Sequence, residues 1–113
     1  MFVLKQSDTF KWPVKFMLPS ADMAGKFDQN TVTLEFKRLP QSKIQSMVDA
    51  DGVSDIGVAR EIVVGWEGVV DDEKQPVPFS PSGLDMFLDM PMVAATVVTA
   101  YMEAVSGGAK RKN

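Results

Sequence analysis

Residues 9–18, TFKWPVKFML, alternate between apolar and polar positions. Phe10, Trp12, Val14, Phe16 and Leu18 fall on one face, Lys11 and Lys15 on the other. A period of two predicts a strand with one face buried and one in water. Pro13 has no N–H to give to a ladder, so this strand belongs at a sheet edge or at a bulge. Residues 31–38, TVTLEFKR, repeat the pattern, with Val32, Leu34 and Phe36 opposed to Thr33, Glu35 and Lys37. The simplest pairing is an antiparallel hairpin with one wet face, joined by the polar connector PSADMAGKFDQN. MFVL at residues 1–4 is a candidate for a short third strand.

The period changes after Leu39. In PQSKIQSMVDA, Pro40 stands at a helix-entry position, and Ile44, Met47 and Val48 have helical spacing. DADG ends that helix. Ser54 is the expected N-cap of a second helix, DIGVAREIVVGW, with Ile56, Ala59, Ile62 and Val63 as its apolar stripe and Asp55 suited to its positive N-terminal end. Gly65 and Gly68 bracket Trp66 and are expected to close this helix. VDDEKQPVP reads as an extended, solvated connector. SPSGLDMFLD then opens with a Ser80 cap and Pro81 at the first helical position, and faces inward with Leu84, Phe87 and Leu88. Asp89 is the expected cap of the last helix, MPMVAATVVTAYMEAV. That helix is apolar almost all round, which predicts either burial on every side or partial cover by another chain.

These patterns define one α+β domain over 1–113: a β part at 1–39, a helical body of about four helices at 40–106, and a flexible basic tail at 107–113. The length of 113 residues suits a single domain with a modest core.

Composition narrows the chemistry. The chain has no cysteine and no histidine. Thiolate nucleophiles, disulfides and zinc–cysteine sites are therefore excluded, and the commonest general base and metal ligand is missing. The net charge of −3 is unevenly spread: residues 41–109 carry three basic and eleven acidic side chains. An acidic body argues against a broad footprint on duplex DNA. The four-residue end KRKN is basic and reads as a solvated terminus. No stretch reaches the roughly 18 uninterrupted apolar residues of a membrane span, and MFVLKQSD lacks a signal-peptide pattern. A cytoplasmic protein without nucleic-acid or membrane partners is the expectation.

The candidate sites resolve mostly into structure. DADGVSD looks like a calcium loop, but counted from Asp49, Gly52 stands at position four rather than six, and Arg60 stands at twelve where glutamate belongs. Helix end followed by helix cap is the better reading. Asp71, Asp72 and Glu73 are adjacent in a polar, proline-bounded loop and read as solvated, whereas an acid–base pair needs two distinct environments. Trp12 and Trp66 sit at apolar points of their patterns and read as core. No catalytic residue, cofactor site or metal site is expected. What remains is an interaction surface. Met86, Met90, Met92 and Met102 cluster in the C-terminal third, and methionine adapts to irregular apolar partners. The surplus apolar surface of the last helix makes Met90, Met92, Val93, Val97, Val98, Tyr101, Met102 and Val105 the candidate partner-binding residues.

Three stretches in order, TFKWPVKFMLP, TVTLEFKRLPQSKI and VGWEGVVDDEKQPVPFSPSGLDMFLDMPMVAATVVTAYMEAVSG, carry a resemblance. Together they resemble the tail assembly chaperones of bacteriophages with long, non-contractile tails and of their prophages, over roughly residues 8–106. The sequence departs from the expected pattern at Lys74 and Gln75, where a turn glycine is usual, and at Gly83, where a better helix former is usual. The resemblance implies a non-catalytic protein that binds the tape measure protein, keeps it soluble and promotes tube assembly in the bacterial host cytoplasm, and that is absent from the mature virion. It also implies a longer frameshifted form that engages the tail tube protein, and self-association fits the apolar surface of the last helix. The alternative is a permanent virion subunit, of the tail tube or head–tail joint, using the hairpin edge.

Overall fold

The computed structural model describes residues 1–49 and 54–107. The expected helix end at Ala50–Gly52 and the basic tail from residue 108 onward lie outside them. Strands β1 (Thr9–Pro19) and β2 (Phe27–Lys37) form the expected antiparallel hairpin, with Trp12 opposite Leu34 and Val14 opposite Val32. The second strand starts four residues earlier than its alternation suggested, and residues 20–26 make the connection. There Ser20 Oγ accepts from the Asp22 and Met23 amides, and the Ser20 amide donates to the Lys26 carbonyl.

Helices α1 (Gln41–Asp49) and α2 (Asp55–Ile62) follow, and then the chain returns to the sheet as β3 (Val63–Glu67). Sheet order is β1-β2-β3. This corrects two expectations. The third strand is not MFVL, which lies outside any strand and is exposed. The second helix stops at Ile62 rather than running to Trp66. Val63, Val64 and Trp66 are β-branched or aromatic, and they fit a pleated surface better than a helix. They also meet the open side of β2. A short apolar run does not reveal its period, so the sequence pattern could not separate the two outcomes.

The hydrogen-bond parity of the hairpin explains Pro13. The Arg38 amide donates to the Asp8 carbonyl at 2.9 Å. Bonding alternates along an antiparallel ladder, so even-numbered β1 residues bond to β2 and odd-numbered ones face the open edge. Pro13 is among the latter, opposite Thr33 and without a register shift. Its missing N–H therefore costs the ladder nothing. At the other edge, Glu35 pairs with Gly65 and Phe36 with Val63, which leaves Val64 as the extra residue of a bulge.

Helices α3 (Pro81–Leu88) and α4 (Val93–Val105) complete the layer on the apolar face of the sheet, with α4 packed on β1 and α2. Ser54 and Ser80 cap α2 and α3 as expected, accepting from the amides of Gly57 and Gly83. Asp89, expected to cap α4, is instead the C-cap of α3. Pro91 follows, and α4 starts from Met92 in the left-handed region at φ 71°, with no side-chain cap. The two helices meet at 101°. No single helix among the described residues is long and apolar enough to cross a membrane.

The core joins Phe36, Leu34 and Val14 of the sheet to Ile62, Leu84, Leu88 and Val97 of the helices. Two aromatic groups run through it. Tyr101 meets Phe36 edge-on at 5.2 Å and stacks near Phe10 at 6.1 Å. Phe16, Phe87, Trp66 and Phe79 form a chain of edge contacts at 5.1–5.5 Å.

Candidate partner-binding surface

The connector between β3 and α3 is folded tightly. Val70 bridges Pro76, and Asp71 Oδ1 accepts from the Glu73 and Gln75 amides at 2.9 Å each. The extended stretch expected here is therefore a small hairpin, and the Asp71 carboxylate has the structural task of shaping it. Lys74 occupies φ 61°, the conformation that the expected glycine would adopt without strain. Trp66 Nε1 donates to the Val77 carbonyl at 2.8 Å, which fastens the connector to β3. A Cβ on Gly83 would lie 3.1 Å from Ser80 Oγ and 3.3 Å from Trp66 Cη2. The glycine in α3 is thus the space into which the indole packs.

The eight residues expected to bind a partner divide into three groups. Val93, Val97 and Tyr101 are 2%, 0% and 1% exposed, so their side chains are committed to the core. Met90, Met92 and Val105 are 44%, 75% and 38% exposed. The first two flank Pro91 at the α3–α4 corner, and Met86 within α3 is also exposed. Val98 and Met102 are half-buried and line a groove of about 220 Å³ between α1, α2 and α4. The sequence reading of α4 missed that division, because β1, α2 and α3 cover most of its circumference.

Ile44, Met47 and Val48 of α1 and Val58 of α2 form the opposite wall of this groove, with Asp55 and Tyr101 completing it. Helical spacing placed these three α1 residues on one apolar stripe. The structure buries none of α1. Its apolar stripe lies over the groove rather than in a packed interior.

Tyr101 closes the groove floor. Its hydroxyl donates to the Lys37 carbonyl at 2.9 Å. Burial pushes the phenol above its ordinary value, and the Leu39 backbone, hydrogen-bonding to the same group, partly offsets this. On the far face of the sheet, Lys11 pairs with Glu67 at 2.8 Å, and this hydrogen bond and charge hold the ammonium above its ordinary value. Both partners are well exposed, so the pair adds little to stability.

A family model described as phage tail assembly chaperone matches residues 1–113, the full length of the sequence. The chain belongs to the phage tail assembly chaperone family. No curated protein and no solved structure matches it. Among the described residues of this tail assembly chaperone, the α1/α2/α4 groove and the exposed methionines beside Pro91 both present unfilled apolar surface.

Proposed function

We propose that this chaperone binds the tape measure protein in the bacterial host cytoplasm, keeps it soluble before the tube polymerises, and leaves before the virion is complete. Family membership over the whole sequence carries this reading. The half-open groove and exposed methionines support it, since a holding protein needs apolar surface that tolerates an imperfect target. Catalysis has no part in the mechanism, which is reversible burial. Each apolar side chain taken fully out of water contributes roughly 1.5–3 kcal/mol gross. Association itself costs an estimated 4–15 kcal/mol or more in lost freedom. One copy making two or three such contacts therefore binds weakly. Several copies along one long target, associating with one another, gain their hold through effective concentration. A frameshifted longer form would bring the tail tube protein to the same target.

The virion-subunit alternative depends on β-augmentation at a sheet edge. Pro13 on the open side of β1 and the bulge at Val64 in β3 both blunt that route.

Co-expression with the tape measure protein from the same genome, followed by pull-down and sizing, tests the proposal. Co-purification in several copies is expected, with tape measure solubility dependent on this chain. A free small protein beside an insoluble tape measure, or its recovery from purified particles, overturns it.

A further inference from the structure

We infer that residues 1–5 are a strap that closes over the α1/α2/α4 groove of their own chain, with Phe2 and Leu4 seated in it. The contact stands on geometry and chemistry alone. Its use as a brake on client binding rests on the chaperone reading above.

The segment itself is the first observation. Four consecutive apolar residues, MFVL, stand in water, with Phe2 84% and Leu4 92% exposed. Single exposed apolar residues are ordinary, but a contiguous run marks a surface that something covers. The run belongs to no strand or helix. Among the described residues, no main-chain hydrogen bond joins residues 1–7 to the rest of the chain. The first such tether is at Asp8, whose carbonyl accepts from the Arg38 amide at 2.9 Å. Arg38 Nε also donates to Ser7 Oγ at 3.3 Å. The segment therefore pivots at residues 7 and 8.

The place of that pivot is the second observation. Asp8 is two residues from Phe10, whose ring stacks on Tyr101 at 6.1 Å, and Tyr101 lines the groove. Helix α1, the groove's outer wall, leaves from the same end of the sheet, since Thr9 pairs with Lys37 and the helix starts at Gln41. An extended chain spans at most about 3.3–3.6 Å per residue, so Leu4 reaches up to about 14 Å from Asp8 and Phe2 up to about 21 Å. The segment thus comes over the groove without moving either strand.

The third observation is fit. In an extended chain Phe2 and Leu4 share one face and Val3 turns to the other. An apolar cavity of roughly 150 Å³ holds a benzene-sized group. At about 220 Å³ the groove has room for the Phe2 ring with Leu4 beside it, and Met47 and Met102 adapt their shape around them. Asp55 is the one carboxylate among the lining residues, and it has no salt-bridge partner among the described residues. Lys5, next in the chain after Leu4, brings the cation. A tether this short gives an effective concentration in the millimolar range, which a second copy in dilute solution does not match. The occupant is therefore the chain's own segment. A client then sees only the open fraction of grooves, so a weak, stray apolar contact is refused and a repeated one displaces the strap.

The test uses the full chain. Methyl NOEs from Leu4 to Val98 and Met102 are expected. They should persist on dilution and stay absent from isotope-filtered spectra of mixed labelled and unlabelled chains. Missing NOEs, or NOEs found only between chains, overturn the inference. A second readout is binding of the neutral apolar dye Nile red. Removing exposed apolar side chains ordinarily weakens dye binding, whereas uncovering a groove strengthens it. The double variant Phe2→Ser, Leu4→Ser should bind the dye about threefold more tightly than the wild type, as a groove closed in two chains of three requires. Lys5→Glu, which sets a like charge against Asp55, should act in the same direction to a lesser degree. Unchanged or weaker dye binding in either variant overturns the inference. Val98→Glu should erase the difference between the double variant and its parent, with Met102→Glu in its place if Val98→Glu unfolds; a difference that persists places the dye elsewhere and overturns it too. If the tape measure protein binds the wild-type chain but the NOEs are missing, the strap fails and the chaperone reading stands. If the NOEs are present and the tape measure protein binds neither the wild type nor the double variant, the chaperone reading fails and the strap stands.

Discussion

Tyr101→Phe removes a single oxygen from the junction of sheet and helices. On β2, even-numbered residues bond to β1, so odd-numbered ones turn toward β3. The β2–β3 ladder ends at Phe36 opposite Val63, so the Lys37 carbonyl lies beyond its last pair. The Tyr101 hydroxyl reaches it from α4, 64 residues away in sequence, at 2.9 Å. The tyrosine is 1% exposed and the bond is part-buried, so water has limited access to the place of the lost donor. Leaving such an acceptor unpaired costs about 1–3 kcal/mol. With 113 residues and about 2.1 cal/mol/K of unfolding entropy per residue, each kcal/mol moves Tm by about 4 °C. The expected fall is therefore about 4–12 °C, with a matching loss in urea titration and an unchanged m-value.

The same residue supplies an independent check by pH. Tyr101 is the one tyrosine in the chain, so absorbance near 295 nm reports its ionisation alone. Desolvation raises its pKa above the ordinary 10.0. The folded protein therefore holds the phenol proton more tightly than the unfolded chain does. That contribution is complete below pH 10.0 and is lost as pH climbs through the folded-state value. The wild type should lose stability above pH 10 more steeply than Tyr101→Phe, which shares every lysine. A titration midpoint at or below 10 with the fold intact, or a Tyr101→Phe loss under about 0.5 kcal/mol, refutes the reasoning that Tyr101 locks α4 to the sheet.

Gly83→Ala should destabilise despite alanine's helix preference of about 1 kcal/mol. The new methyl meets an indole fixed at Nε1 and between Phe79 and Phe87, so overpacking gives a net loss of about 1 kcal/mol in chemical denaturation. Lys74→Gly should stabilise by about 0.5–1 kcal/mol, since relief of the left-handed strain exceeds the entropy that glycine adds to the unfolded chain; a loss in the same assay contradicts it. Pro13→Val should leave stability within about 0.5 kcal/mol but add an N–H to the open edge of β1, and sedimentation velocity should show greater self-association than in the wild type.

The features legible in the sequence are those decided within a few residues. Alternation in β1 and β2 was readable because each strand has one buried and one wet face, and the caps at Ser54 and Ser80 because a cap is a three-residue contact. The family resemblance implies a turn glycine near Lys74 or Gln75, and of these Lys74 takes the left-handed φ of 61°. What failed depended on distant partners. Val63–Glu67 becomes a strand because β2 has an open side, which no window around Trp66 contains. The division of the candidate surface arises in the same manner. Val97 and Val98 are neighbours with the same side chain, yet one lies in the core and the other lines the groove. Only the placement of β1, α2 and α3 around α4 separates them.

That separation, together with the sheet edges, determines which surfaces remain for association. A sheet recruits another chain through unpaired N–H and C=O groups, and here β1 has a proline turned toward its open side while β3 is five residues long and bulged. These devices work against strand addition without touching the apolar helices. A holding protein that kept open edges would template strands from its client and from its own copies, and strand pairing of that kind is slow to reverse. Shallow apolar grooves between helices exchange occupants through side chains alone, with no ladder to unzip. Under the proposed function, blunted edges beside an unfilled helical groove would let a client be held and then released.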